Sequence, residues 1–245
     1  MKILAIIPAR YNSTRFPGKP LVDIGGKSMI QRVYEQTQKV RSFTKIIVAT
    51  DDIRIEEHVK SFGGDVMMTS TEHQSGTDRC GEVVRKLTEN YDVVVNIQGD
   101  EPFIQPEQLE KLITAFSNEN TQIATLGFKL NDSEAIFNPN IVKVVFSVSG
   151  NALYFSRNPI PFNRNSEKEN WINTTSYYKH LGIYAFRSDI LRKINTLEQS
   201  TLEKAESLEQ LRWLENDFKI KVVETDIDTI GVDTPEDLAR LSLLK

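Results

Sequence analysis

Short β-branched runs alternating with stretches of helical apolar spacing constrain this chain more than any other feature of its sequence. Ile3–Pro8, Lys45–Thr50, Asp65–Met68, Asp92–Ile97 and Gln122–Lys129 read as strands. Ser28–Arg41, Asp52–Phe62, Asp78–Asn90 and Pro106–Asn118 read as the helices between them. This alternation is the pattern of a parallel α/β sheet. The helix boundaries carry their own signals: Asp52 is placed as an N-cap, Pro106 sits at a first helical position, and Gly63-Gly64 and Asn90 stand where helices stop.

After residue 130 the character changes. Ile141–Ser147 and Asn151–Ser156 flank Ser149-Gly150, which has the composition of a hairpin turn, so a mixed or antiparallel section is expected to follow the parallel one. Asn158–Asn170, with Pro159 and Pro161, reads as an exposed loop too long for a plain connection. Lys179–Phe186 and Lys219–Glu224 are expected as strands and Leu202–Glu215 as a helix. A last helix over Pro235–Leu244 is expected, capped by Thr234 with Asp237 three residues on.

Composition excludes several classes of function. No apolar run approaches the ~20 residues of a membrane helix, and Met1–Ile7 leads straight into Pro8-Ala9-Arg10 without a small-residue cleavage site, so a cytoplasmic protein is expected. The lone Cys80 forms no internal disulfide and reads as packing, and with only His58, His73 and His180 beside it no structural zinc site can be built. A metal, if used, should be a hard ion bound by oxygen. Trp171 and Trp213 read as interface or core anchors. The net charge of −4 hides an asymmetry, since residues 1–60 carry 11 Lys and Arg against 6 Asp and Glu. A basic amino-terminal segment suits an anionic ligand, while a sequence pI of about 5.6 argues against general binding to nucleic acid.

The first strand runs into Ala9-Arg10-Tyr11-Asn12-Ser13-Thr14-Arg15-Phe16-Pro17-Gly18-Lys19-Pro20-Leu21, which gathers three cations at the carboxyl end of a parallel strand. That edge is where open α/β sheets bind ligands. The segment is neither a Walker A sequence nor a glycine-rich dinucleotide loop, so a phosphate site here would rest on Arg10, Arg15 and Lys19, with Gly18 permitting close backbone approach. Taken alone, it could equally be a charged surface loop.

It does not stand alone. The loop resembles the signature of the cytidylyltransferases that activate sugar acids, and further blocks of resemblance follow in order. These are His73–Arg79, Asn96–Pro102, Phe137–Asn140, Tyr154–Arg157, His180–Tyr184, Leu208–Arg212 and Gly231–Leu238. Their order and spacing are similar to the members of that family acting on 3-deoxy-manno-octulosonate.

The resemblance implies a Rossmann-like nucleotide-diphospho-sugar transferase fold, α/β, with a mixed, mostly parallel sheet flanked by helices. It implies one domain over residues 1–245, nucleotide-binding to about residue 130 and sugar-binding and dimer-forming beyond, with the site between the halves. The implied reaction joins CTP and 3-deoxy-manno-octulosonate into the CMP-sugar and pyrophosphate, which would feed lipopolysaccharide assembly. Asp100 and Asp233 are implied as Mg²⁺ ligands and, with Lys19, as catalytic residues. Ala9, Arg10, Ser13, Arg15, Lys19, Ser75 and Arg79 are implied around the nucleotide, and Gln98, Arg157, His180, Tyr184, Glu209 and Gln210 around the sugar acid.

Each of these positions also has a plain reading: Asp100 as a turn residue, Asp233 beside a helix cap, His180 and Tyr184 as strand core, Glu209 and Gln210 as helix surface. Other substrates compatible with the sequence are the 8-amino analogue of the octulosonate and a sialic acid. A non-catalytic nucleotide sensor is the alternative of a different class.

Overall fold

A run of β-branched and aliphatic residues such as Ile3-Leu4-Ala5-Ile6-Ile7 favours extended chain that is buried on both faces. In the computed structural model, which describes residues 1–12, 16–229, 231, 232, 234 and 236–238, this run forms strand β1 (Ile3–Ala9), and Leu4 to Ile7 have no solvent exposure. β2 (Lys45–Thr50), β3 (Val66–Met68) and β4 (Val93–Asn96) join it in the order β3-β2-β1-β4, with every pairing parallel. Winding therefore proceeds outward on one side of β1 and then changes to the other. The carboxyl ends of β1 and β4 flank that change.

The chain divides into two compact units. The first holds Met1–Glu110, Ala185–Asn195 and the described residues from Thr229 on, and the second holds Lys111–Tyr184 and Thr196–Asp228. Packing thus sets the first boundary inside helix α4 (Pro106–Thr114) rather than at residue 130, where the sequence pattern changes.

In the first unit, Ser28 caps α1 (Met29–Gln38) by accepting from the Gln31 N–H, and Asp52 caps α2 (Ile53–Ser61) as the sequence indicated. Helix α3 (Gly76–Lys86) begins two residues before the expected Asp78. Ser75 takes the cap, and Asp78 closes a reciprocal box from the third helical position. It also ends before Asn90, because Leu87 turns into extended backbone. A helix over Ser188–Ile194, absent from the sequence reading, leads to Asn195, whose amide donates to the Thr77 carbonyl at 3.3 Å. Gly81 makes room for it, since a Cβ there would fall 1.5 Å from the Asn195 nitrogen. Cys80 has no solvent exposure, in keeping with a packing role. Near the carboxyl end, Thr234 and Asp237 exchange the expected capping bonds. The rest of the expected last helix, Pro235 and residues 239–244, lies outside the described residues.

In the second unit, β5 (Ile123–Lys129) pairs in parallel with the last strand, Ile220–Thr225. β6 (Lys143–Phe146) and β7 (Ala152–Ser156) form the anticipated antiparallel hairpin, and Gly150 supplies its positive φ of 76° at the turn. β8 (Tyr178–Arg187) lies beside β5, and its last three residues belong to the first unit. Trp171 packs with Leu130, Ile136 and Tyr177 in a local core, and Trp213 is also buried.

The expected single helix over Leu202–Glu215 is two helices, Thr201–Glu206 and Glu209–Glu215, separated by Ser207 in the left-handed region at φ 52°. The break turns carbonyls outward, and Arg157 Nε takes that of Glu206 at 2.7 Å. Lys143 is buried under the same corner and donates to the carbonyls of Asn138, Ile141 and Arg157 at 3.0, 2.7 and 2.5 Å. Burial pushes its ammonium down to about 8, against the pull of Glu206.

Candidate active site

In open α/β sheets, ligand crevices form outside the carboxyl ends of the strands where winding changes side. The first unit has a pocket there. Pro8, Ala9 and Arg10 enter it from the end of β1, and Gln98, Gly99 and Asp100 from the end of β4. Lys19 and Pro20 also line it, as do the start of α3 and His73 and Gln74 before it.

The basic loop is fixed by its own backbone. Gly18, at φ 73°, donates its N–H to the Tyr11 carbonyl at 2.9 Å, and a Cβ there would press on the Tyr11 ring at 3.2 Å. The next residues, Lys19–Leu21, form a 3-10 turn that presents the Lys19 ammonium to Asp100 Oδ2 at 2.7 Å. The Lys19 side chain is 12% exposed and that of Asp100 34%, so the pair faces the pocket without being sealed in it. The other Asp100 oxygen makes no hydrogen bond among the described residues. Arg10 is exposed in the pocket wall, and its guanidinium has no partner among them. Ser13, Arg15 and Asp233 lie outside the described residues. Val232, the residue before Asp233 in sequence, donates its N–H to the Asp100 carbonyl at 3.0 Å. No group of three or more His, Cys, Asp or Glu gathers as a metal site among the described residues.

Gly99 was not singled out from the sequence, yet the pocket floor depends on it. A Cβ at this position would stand 2.6 Å from the Pro8 carbonyl oxygen, a backbone atom that cannot swing aside. Gly99→Ala is therefore expected to separate the ends of β1 and β4. It should destabilise the protein by about 1–3 kcal/mol, as overpacking does, and lower activity more than that loss explains. Thermal unfolding and steady-state kinetics on the same preparation check this, and an unchanged melting temperature with normal activity would remove the constraint.

Ser75 lines the pocket, but its hydroxyl accepts from the Asp78 N–H as the helix cap. Arg79 also lines it but is only 4% exposed. Its guanidinium donates to Thr69 Oγ1 at 2.7 Å, the Ser70 carbonyl at 3.1 Å and Asp51 Oδ2 at 2.5 Å. Arg79 thus shapes the wall and does not present a free fork. Asp51, its partner, directly follows β2 at the same sheet edge, and that placement, though not the pairing, is legible in the sequence. His73 is bonded through Nε2 to Glu82. Burial opposes ionisation of Glu82, but the Lys86 ammonium, the Ser70 N–H and His73 outweigh it and hold its carboxyl at about 2.

Of the residues expected around a sugar acid, Gln98 lies in this pocket and the other five belong to the second unit. There His180 Nε2 is 3.1 Å from Thr125 Oγ1, and its ring stacks edge-on with Phe155 and tilts against Tyr184. Burial drives His180 down to about 3. Tyr184 packs against Trp213, and burial, then the charge of Glu209, pushes its phenol well above its ordinary value. Glu209 lies 3.5 Å from the Arg212 guanidinium, and Gln210, 5% exposed, leaves its Nε2 without a partner among the described residues. The Arg157 fork is spent on main-chain carbonyls of Glu206, Pro139 and Ser207. Recognition of a carboxylate by this side chain would require those bonds to be exchanged.

The cytidylyltransferase family profile matches residues 4–221. A 3-deoxy-manno-octulosonate cytidylyltransferase of Parabacteroides distasonis is 57% identical over 244 residues, covering 98% of this chain and 96% of that protein. One from Phocaeicola vulgatus is 59% identical, with 98% and 96% covered. A solved CMP:2-keto-3-deoxy-manno-octonic acid synthetase complexed with CTP superposes with a TM-score of 0.92 at 43% identity, covering 100% of this chain and 98% of that one. With a pocket of two cations and a carboxylate at the winding change of a parallel sheet, and likeness of this extent along its whole length, the chain belongs to the cytidylyltransferase family.

Proposed function

We infer that this protein transfers CMP from CTP to 3-deoxy-D-manno-octulosonate, giving CMP-3-deoxy-D-manno-octulosonate and pyrophosphate for lipopolysaccharide biosynthesis. The observation that carries the reading is the Lys19–Asp100 pair beside Arg10, at the mouth of a pocket in a chain similar over its full length to a synthetase solved with CTP.

The sugar's anomeric hydroxyl attacks the α-phosphorus in line, and the bond to the β-phosphate oxygen breaks. Arg10 and Lys19, with Arg15 proposed beside them, neutralise the triphosphate and the charge that builds on departing pyrophosphate. Ala9, Ser13, Ser75 and Arg79 are proposed around the nucleoside. Gln98, Arg157, His180, Tyr184, Glu209 and Gln210 are proposed as the sugar-acid contacts.

Mg²⁺ is proposed on Asp100 and Asp233. The residues present fit it: the Asp100 carboxylate is a hard oxygen donor with one oxygen unbonded among the described residues, and Mg²⁺ takes only one or two carboxylates besides phosphates and water. The Val232 bond to the Asp100 carbonyl supports pairing these two positions. Held there, it would supply polarisation of the α-phosphate and a lowered pKa for the attacking hydroxyl. Lys19, bonded to Asp100, holds that carboxylate in one orientation. No helix among the described residues is long and apolar enough to cross a membrane. A cytoplasmic site and a homodimer are proposed, with exposed Val148, Leu153 and Phe162 as apolar surface available for assembly.

Pyrophosphate release from CTP and a panel of sugar acids tests the reading. Turnover should be greatest with the octulosonate, whereas turnover confined to its 8-amino analogue or to a sialic acid would replace the substrate. CTP binding without pyrophosphate release would favour a sensor. Lys19→Ala should raise the KM for CTP about tenfold or more and change the KM for the sugar acid less. Raised salt should imitate part of this defect by screening the pocket's cations. Equal effects on both substrates would separate Lys19 from the triphosphate.

A further inference from the structure

We propose that His73 reads the cytosine base, accepting a hydrogen bond from its exocyclic amino group through Nδ1, and that Glu82 is the positioning residue that gives His73 this polarity. The inference deepens the nucleotide reading above and rests on it.

Cytosine and uracil differ at one edge, where cytosine presents an amino donor and uracil a carbonyl acceptor. A pocket that selects CTP therefore needs an acceptor facing that edge. Lys19 and Asp100, bonded to each other, and Arg10 are the charged groups that suit the phosphates, and His73 and the start of α3, which line the same pocket, are assigned to the base. On that wall the Ser75 hydroxyl is occupied as a helix cap, and the Arg79 guanidinium is a donor already committed to Thr69, Ser70 and Asp51. His73 is the ring there with an uncommitted nitrogen: its Nδ1 makes no hydrogen bond among the described residues.

The state of that nitrogen follows from its neighbour. Glu82 Oε1 meets the Lys86 ammonium at 2.7 Å, while Oε2 takes the Ser70 N–H at 2.9 Å and the His73 Nε2. A carboxylate with a cation and an amide already on it remains ionised, and an ionised carboxylate only accepts. Nε2 must then carry the proton, and the neutral imidazole is left with a lone pair on Nδ1. Its side chain is 17% exposed and that of Glu82 15%, so the pair sits in the wall with little water to compete. Uracil would set its carbonyl oxygen against the same lone pair.

The test compares kcat/KM for CTP and for UTP in wild type and variants of the full chain. His73→Gln keeps an amide donor at the reach of Nε2 for Glu82 but places no acceptor at Nδ1, and should reduce the preference for CTP at least tenfold. His73→Asn can place its carbonyl oxygen near the position of Nδ1 and should retain more of the preference. Glu82→Gln, which releases the ring from its fixed polarity, should lower the preference by a smaller factor and serves if a His73 variant does not fold. An unchanged CTP-to-UTP ratio in His73→Gln and Glu82→Gln overturns the proposal, and so does an equal loss in His73→Gln and His73→Asn, which would assign the effect to ring packing. Turnover of CTP by the wild type stands or falls separately, so failure here leaves the transferase reading untouched.

Discussion

Asp100→Asn is expected to lower kcat about a hundredfold or more at saturating Mg²⁺ and leave the fold intact. The asparagine keeps an oxygen acceptor for Lys19 and the same volume, so the 2.7 Å contact has a neutral replacement. What disappears is the negative charge that faces the Lys19 ammonium and that the proposed Mg²⁺ would need. A hundredfold corresponds to about 2.7 kcal/mol of transition-state stabilisation, within the range lost when one charged contact to a reacting phosphoryl group is removed. Because Asp100 stands in a partly exposed turn after β4, circular dichroism and the melting temperature should stay close to wild type. A variant that turns over CTP at a near-normal rate would end the assignment of metal and charge to this position.

Acid should weaken the protein well before its carboxylates are protonated, and His180 is the reason. Its folded-state value is pushed down to about 3 by burial, while in the unfolded chain it titrates near its ordinary 6.5. Between those values the unfolded state binds a proton that the folded state refuses, so stability falls as pH falls from 6.5 toward 3. From pH 7 to pH 5 the loss should be about 2 kcal/mol. Glu82, held at about 2, contributes a loss of the same sign, but only below its ordinary value of 4.5. Urea unfolding at pH 7, 6 and 5 isolates the histidine. His180→Gln should flatten the dependence in that window, and a wild-type midpoint that does not move between pH 7 and 5 would remove His180 as the source of acid sensitivity.

The parallel strands were legible because periodicity reports burial, and apart from β3, whose three residues are half-buried, they are largely buried. β2 was placed to the residue and the others to within two. The single helix over Leu202–Glu215 was misread because Ser207 carries no helix-breaking signature. The carbonyl of Ser207, which is in the left-handed region, is bonded by Arg157 fifty residues away in sequence, and local propensity cannot report such a contact. In the site, Arg10, Lys19 and Asp100 could be read from charge placed at strand ends. The commitments of Arg79 to Asp51 and of His73 to Glu82 could not, since each depends on which helix face meets which loop. Gly99 was invisible for a related reason: the need for a missing Cβ is set by the Pro8 carbonyl on another strand.

The first unit is assembled from three separated stretches of chain, and its pocket wall includes an Asp100 carbonyl bonded to the N–H of Val232. During synthesis, residues 1–110 leave the ribosome long before their partners at 185–195 and beyond 229 exist. Contacts of such sequence separation form late and slowly. The pocket edge at Asp100 therefore reaches its final form only after the residues around Val232 have been made. A chain truncated just before Val232 would retain every cation of the basic loop and still lack the closing bond at Asp100.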